Sequence, residues 1–184
     1  AAARAIADGW HRVAPDDELD LVPLSDGGPG FVDTMADALG GDLIGATITG
    51  PLGQQTPGAV LMVGDTAYVE SAQACGIHLV EASDLDPARA TTYGVGELIA
   101  LAIESGARRI IVGLGGSATN DGGAGALAAL GATSDVPLDR GGLNLRGVTT
   151  VDLSAALAAV SGVEVLAATD VDNPLLGLTG AAKV

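Results

Sequence analysis

The stretch Gly113-Leu114-Gly115-Gly116-Ser117-Ala118-Thr119-Asn120-Asp121-Gly122-Gly123 constrains the fold of this chain more than any other. It follows the apolar run Ile110 to Val112 and precedes the apolar segment Ala124 to Leu130, so it reads as strand, glycine-rich turn and helix. Such a turn lets backbone N–H groups converge near a helix N-terminus, where the helix dipole adds partial positive charge. The expected guest is a phosphate or a carboxylate. Ser117, Thr119, Asn120 and Asp121 add two hydroxyls, an amide and a carboxylate, more polar chemistry than a connection requires.

The same strand, turn and helix pattern is expected earlier. Leu19 to Leu24 reads as a short strand, Ser25-Asp26-Gly27-Gly28-Pro29-Gly30 as its turn, and Val32, Met35, Ala36 and Leu39 as one face of the next helix. Asp26 either caps that turn or lines a ligand site at the strand's C-terminal end. Before it, Ile6, Trp10 and Val13 share a helical face, which makes Trp10 a core residue; Pro15 closes the helix, and His11 points to the surface.

Leu43 to Thr49, Ala59 to Val63 and Thr66 to Val69 read as an antiparallel meander, with Gly64-Asp65 as a tight hairpin turn. It suggests a second layer or a subdomain boundary near Asp42. Glu70 and Ser71 end the meander and either finish it or face a ligand. From Ala72 to Arg89 the pattern is weak: Cys75, Ile77, Leu79 and Val80 are expected in the core, and His78 reads as a satisfied structural histidine. Val95, Leu98, Ile99, Ala102 and Ile103 then form an amphipathic helix ended by Gly106, whose start at Thr91 and Thr92 is either capped or anion-binding. Alternation of strands and helices is typical of parallel α/β sheets.

Thr133 to Gly147 reads as an irregular connection, Ser154 as the cap of a helix reaching Val160, and Val163 to Ala168 as a further strand. At its end lie Asp170, Asp172 and Asn173, suited to Mg²⁺ or to proton abstraction if they are not simply a solvated acidic loop.

Charge narrows the ligand chemistry. The chain has 184 residues and a net charge of -15, from 23 acidic residues against seven arginines and Lys183. Nucleic acid and anionic membranes are thereby disfavoured as partners. With so few cations, backbone amides and a divalent metal are expected to neutralise much of any bound phosphate. Phosphoryl transfer fits this inventory, because it needs positioning and charge neutralisation more than a protein nucleophile. Neither a Walker lysine motif, nor a His/Cys metal cluster, nor G-x-S-x-G is present. No apolar run reaches the roughly 18 residues of a membrane span. The single cysteine, Cys75, is expected to be reduced, which with the lack of a leader pattern points to the cytoplasm.

Five ordered blocks then carry a resemblance: Ser25-Asp26-Gly27-Gly28-x-Gly30, I-T-G-P-L-G from Ile48, T-T-Y-G-V-G-E-L from Thr91, G-G-S-A-T-N-D-G-G from Gly115 and D-V-D-N-P-L-L-G from Asp170. Together they closely resemble the bacterial type-1 glycerate kinases. The resemblance implies two α/β domains, one Rossmann-like with a parallel sheet and the other with a mixed sheet, and an active site in the cleft between them. Residues 1–41 would belong to one domain and 42–184 to the other. It also implies ATP-dependent, Mg²⁺-assisted phosphorylation of D-glycerate in the cytoplasm, and leaves a homodimer open.

On this reading Asp121, Asp170 and Asp26 are the catalytic carboxylates, with Asp170 and Asp172 as metal ligands. Substrate or phosphate would meet Gly27, Gly28, Thr92, Gly94, Gly115, Gly116, Ser117, Ala118, Thr119 and Asn120. Two departures stand out. Pro29 and Phe31 occupy positions where the family often has Glu and Thr. Members of the family also begin with a strand and a lysine-containing loop upstream of Ala1 and continue beyond Val184, so a basic phosphate ligand is expected outside these 184 residues. The alternatives are a non-catalytic anion-binding or regulatory α/β domain, or a kinase for a related small hydroxy acid.

Overall fold

The computed structural model describes residues 2–170, 174, 177 and 180. The fold is α/β. Helices α1 (Ala2–His11) and α2 (Phe31–Leu39) precede strands β1 (Asp42–Thr49), β2 (Gln55–Val63) and β3 (Thr66–Glu70). Then come α3 (Ala72–Cys75), α4 (Tyr93–Glu104), β4 (Arg109–Gly113), α5 (Ala124–Ala129), β5 (Thr133–Ser134), β6 (Val151–Asp152), α6 (Ser154–Ala159) and β7 (Glu164–Ala168).

One mixed sheet in the order β1-β2-β3-β4-β7 organises these elements. The meander β1-β2-β3 is antiparallel, with Val63 opposite Thr66 across the Gly64-Asp65 turn. Strands β3, β4 and β7 are parallel. The meander therefore shares the sheet with the parallel strands and forms no second layer. Because β1 and β3 both run opposite to β2, strands β1, β3, β4 and β7 all end on one edge, at Thr49, Glu70, Gly113 and Ala168.

Period-two alternation sorts the core. Val60 and Met62 of β2, Ala67 and Val69 of β3, and Ile110 and Val112 of β4 meet Val95, Leu98, Ile99 and Ala102 of α4 on one face. Leu61, Tyr68 and Ile111 point the other way, onto Phe31 and Val32 of α2. Helix α4 ends as the sequence predicts: Gly106 turns to a φ of 93° and the Ala107 N–H reaches the Ala102 carbonyl.

Several expectations are corrected. Leu19 to Leu24 forms no strand, since it pairs with no ladder among the described residues and Pro23 lacks an N–H. Trp10 is 54% exposed, because the Ile6, Trp10 and Val13 face has no partner among the described residues; its indole donates instead to Asp17, at 2.8 Å. Ile77 and His78 lie exposed on a short 3₁₀ turn. The region after α5 holds a small β5-β6 ladder, and Asp152, not Ser154, caps α6 by accepting the Ser154 N–H at 2.8 Å.

Candidate functional site

Backbone approach, permitted by glycine, gathers three turns at the C-terminal edge of the sheet. The Leu114 N–H donates to the Ala168 carbonyl, joining the ends of β4 and β7. Gly27, at a φ of 86°, sits so close to this junction that a Cβ there would lie 2.6 Å from the Ala168 oxygen and 3.1 Å from the Leu114 nitrogen. A Cβ on Gly115 would similarly meet Gly28 Cα at 2.7 Å. Within the first turn Ser25 Oγ and Asp26 Oδ1 accept the N–H groups of Gly27 and Gly28. Asp26 and Asp170 are exposed at this edge, Asp170 standing two residues beyond Ala168. Asp172 lies outside the described residues.

The helix N-termini are not where an external anion would enter. Asp121, only 2% exposed, fills two of them with its own carboxylate. Its Oδ2 accepts the N–H and hydroxyl of Thr92 at the start of α4 and the N–H of Gly125 in α5, while Oδ1 accepts the N–H of Gly123. The Thr92 hydroxyl also accepts the Ala126 N–H. Glu70 does the same for α2: its carboxylate, 4% exposed, accepts the N–H groups of Gly30 and Val32. The expected guest of the α5 N-terminus is thus a side chain of the chain itself, as the dipole and the unpaired first-turn donors favour.

What stays open is the turn before α5. Gly116 adopts a φ of 66°, and the N–H groups of Gly115, Gly116 and Ser117 have no acceptor among the described residues. Successive free amides around one left-handed residue are the backbone arrangement, a nest, in which an anion can be cradled. Its outer wall is held by segment 75–77: the Gly116 carbonyl accepts the Ile77 N–H, and the Ala118 N–H donates to the Cys75 carbonyl. Ser117 is exposed, and its Oγ accepts from the Cys75 thiol at 3.7 Å. Burial pushes that thiol up to about 11; the Ser117 bond lowers it and the charge of Asp121 raises it. Nearby, Ser71 Oγ is buried without a hydrogen-bond partner among the described residues.

The other sequence-predicted residues are internal ties. Ala118 is 4% exposed. The Thr119 hydroxyl donates to the Ala90 carbonyl at 2.6 Å, and the Asn120 N–H to that of Pro87. A Cβ on Gly94 would lie 2.0 Å from the Thr49 carbonyl oxygen, so α4 starts in contact with the end of β1.

Two basic residues escaped the sequence reading. Arg89 and Arg140 line one cavity of about 500 Å³ beside the turn that follows β1, together with Thr49, Tyr93 and Asn144. Their separation along the chain hides the pairing, and no motif spacing marks it.

A sequence model described as the glycerate kinase family matches residues 1–184. The chain is 42% identical to a protein named glycerate kinase from Bacillus subtilis, over 100% of this chain and 50% of that protein. It is also 42% identical to glycerate 2-kinase from Escherichia coli, over 99% and 49%. A crystal structure described as that of a candidate glycerate kinase 2 from Salmonella typhimurium LT2 superposes with a TM-score of 0.85 at 38% identity, covering 98% of this chain and 51% of that one. The chain spans about half the length of the curated relatives it matches.

Proposed function

Since this chain belongs to the glycerate kinase family, we propose that a protein carrying it phosphorylates D-glycerate with ATP. The observation that carries this reading is the nest of free amides at Gly115, Gly116 and Ser117, open at the edge where Asp26 and Asp170 are exposed. Free N–H groups there suit a phosphate, and the Ser117 hydroxyl adds a further donor.

The proposed division of labour follows from what is already occupied. Asp121 has both oxygens engaged by the chain's own donors, so its part is to position the turn and the start of α4. Asp26 keeps one oxygen free of the Gly28 bond and lines the site. Asp170 accepts the proton of the attacking hydroxyl, a role that needs an exposed carboxylate at the phosphate.

A magnesium ion fits this donor set. Mg²⁺ is commonly held by one or two carboxylates with waters and phosphate oxygens completing its shell, so the exposed Asp26 and Asp170 suffice. No group of three metal-ligating side chains exists among the described residues. When bound, the ion would neutralise phosphate charge.

A coupled assay of the full-length protein with ATP and D-glycerate tests the reading. Turnover, reduced at least a hundredfold in Asp170→Asn, is the expected result. Turnover with a different hydroxy acid alone would overturn the acceptor. Anion binding without turnover on any hydroxy acid would establish the non-catalytic reading instead.

A further inference from the structure

We propose that the cavity at Arg89 and Arg140 is a second anion site that takes a phosphate group, separate from the nest at Gly115. In a chain of net charge -15, these are two of only seven arginines, and the fold brings both to one concavity.

The convergence is built into the backbone. Segment 140–142 lies against segment 88–89 so tightly that a Cβ on Gly141 would stand 2.5 Å from the Ala88 oxygen and 2.5 Å from the Arg89 carbonyl carbon. Gly141 itself takes a φ of 80°, which a side chain would strain further. The Leu143 N–H donates to the Ala88 carbonyl at 2.9 Å, and the Asn144 amide to the Arg140 carbonyl. On the other side, Asp86 Oδ1 accepts the Ala88 N–H and its carbonyl accepts the Arg89 N–H, fixing the loop that carries Arg89.

The cavity sets two guanidiniums against one carboxylate, Asp139. No carboxylate among the described residues reaches ion-pair distance of Arg89, although Asp84 and Asp86 line an adjoining cavity with it. Arg140 meets Asp139 only at 3.9 Å, with both side chains well exposed, a pairing of little strength. Two guanidinium forks in a cavity also lined by Thr49 and Tyr93 can together engage the three or more acceptor oxygens of a phosphate.

Position separates this site from the nest. None of Gly115, Gly116 and Ser117 lines the cavity, which lies beside the end of β1, whereas the nest lies at the end of β4. The phosphate belongs either to a nucleotide or to a phosphorylated acid, and calorimetric titration of the full-length protein with ATP and, separately, with a phosphoglycerate distinguishes these sources.

Either Arg89→Ala or Arg140→Ala should weaken binding of one of these two ligands about ten- to a hundredfold. Gly141→Ala, which keeps every charge, should weaken the same ligand by parting the two loops. Arg146→Ala removes one exposed charge that does not line the cavity and should change affinity less than twofold. Affinities for both ligands within twofold of the parent in both arginine variants would overturn the proposal, as would an equal loss in Arg146→Ala. Circular dichroism confirms that each variant titrated is folded.

Discussion

Asp121 holds Thr92 twice: one carboxylate oxygen accepts both the backbone N–H and the hydroxyl of Thr92, each at 2.8 Å. The two residues stand at the starts of different helices, so a single buried carboxylate locks α4 to α5 and fixes the end of the glycine turn. Its geometry is that of a brace.

Asp121→Asn should therefore act on stability first. The amide presents only one acceptor oxygen to four donors, and its NH₂ must face at least one of them. A loss of about 1–3 kcal/mol is expected, read as a lower urea midpoint at unchanged slope. An unchanged midpoint would mean that the brace carries no weight.

Gly115→Ala tests the contact between turns. The added methyl meets Gly28 Cα, a backbone atom that cannot swing aside. Separation of the turns by a few tenths of an ångström displaces the nest relative to Asp26. We expect kcat/KM to fall by about a hundredfold, together with a loss of stability of about 1–3 kcal/mol from the overpacked contact.

Cys75 should be nearly inert in the folded protein. With its thiol pushed up to about 11, only about one molecule in a thousand carries a thiolate at pH 8, and the side chain is buried as well. Alkylation by iodoacetamide should be at least a hundredfold slower in buffer than in denaturing urea. Similar rates would show that segment 72–77, the outer wall of the nest, opens readily.

Acid should loosen the β5-β6 region before the main sheet. Asp135 is held below the usual aspartate range by hydrogen bonds from the Thr149 hydroxyl and N–H and from the Thr150 N–H, and Asp152 by its bonds to Ser154. A depressed carboxylate stabilises the fold above its unfolded value near 4 and loses that contribution as pH falls through the folded value. Amide exchange at Thr149 and Thr150 should thus be protected at pH 5–7 and lose protection below about pH 4. In Asp135→Asn the protection should already be reduced at pH 6.

Much of the architecture is readable from periodicity. The Gly64-Asp65 hairpin, the Ile110 strand and the Val95 to Ile103 helix each bury one face against one core, so local pattern and final environment agree. Trp10 and Leu19 to Leu24 show the limit: an apolar face states that a partner is needed, not that one is near. The site was legible to a lesser degree. Glycine spacing marked the turn whose amides are free, but whether a helix N-terminus awaits a ligand depends on carboxylates distant in sequence, Glu70 for Gly30 and Asp121 for Thr92. The Arg89 and Arg140 pairing depends in the same way on one close approach at Gly141.

The mixed sheet also carries an order of assembly. Strands β1, β2 and β3 meet across short turns, whereas β3 must find β4 across the whole α3 and α4 segment, and β4 must find β7 through a partnership of Arg109 with Glu164. Loop closure favours the local pairings, so the meander is expected to form early and the parallel half late. The nest stands on the junction of the two latest strands, Leu114 against Ala168. A nascent chain would hold a stable hairpin sheet well before the turn at Gly115 could take its final shape.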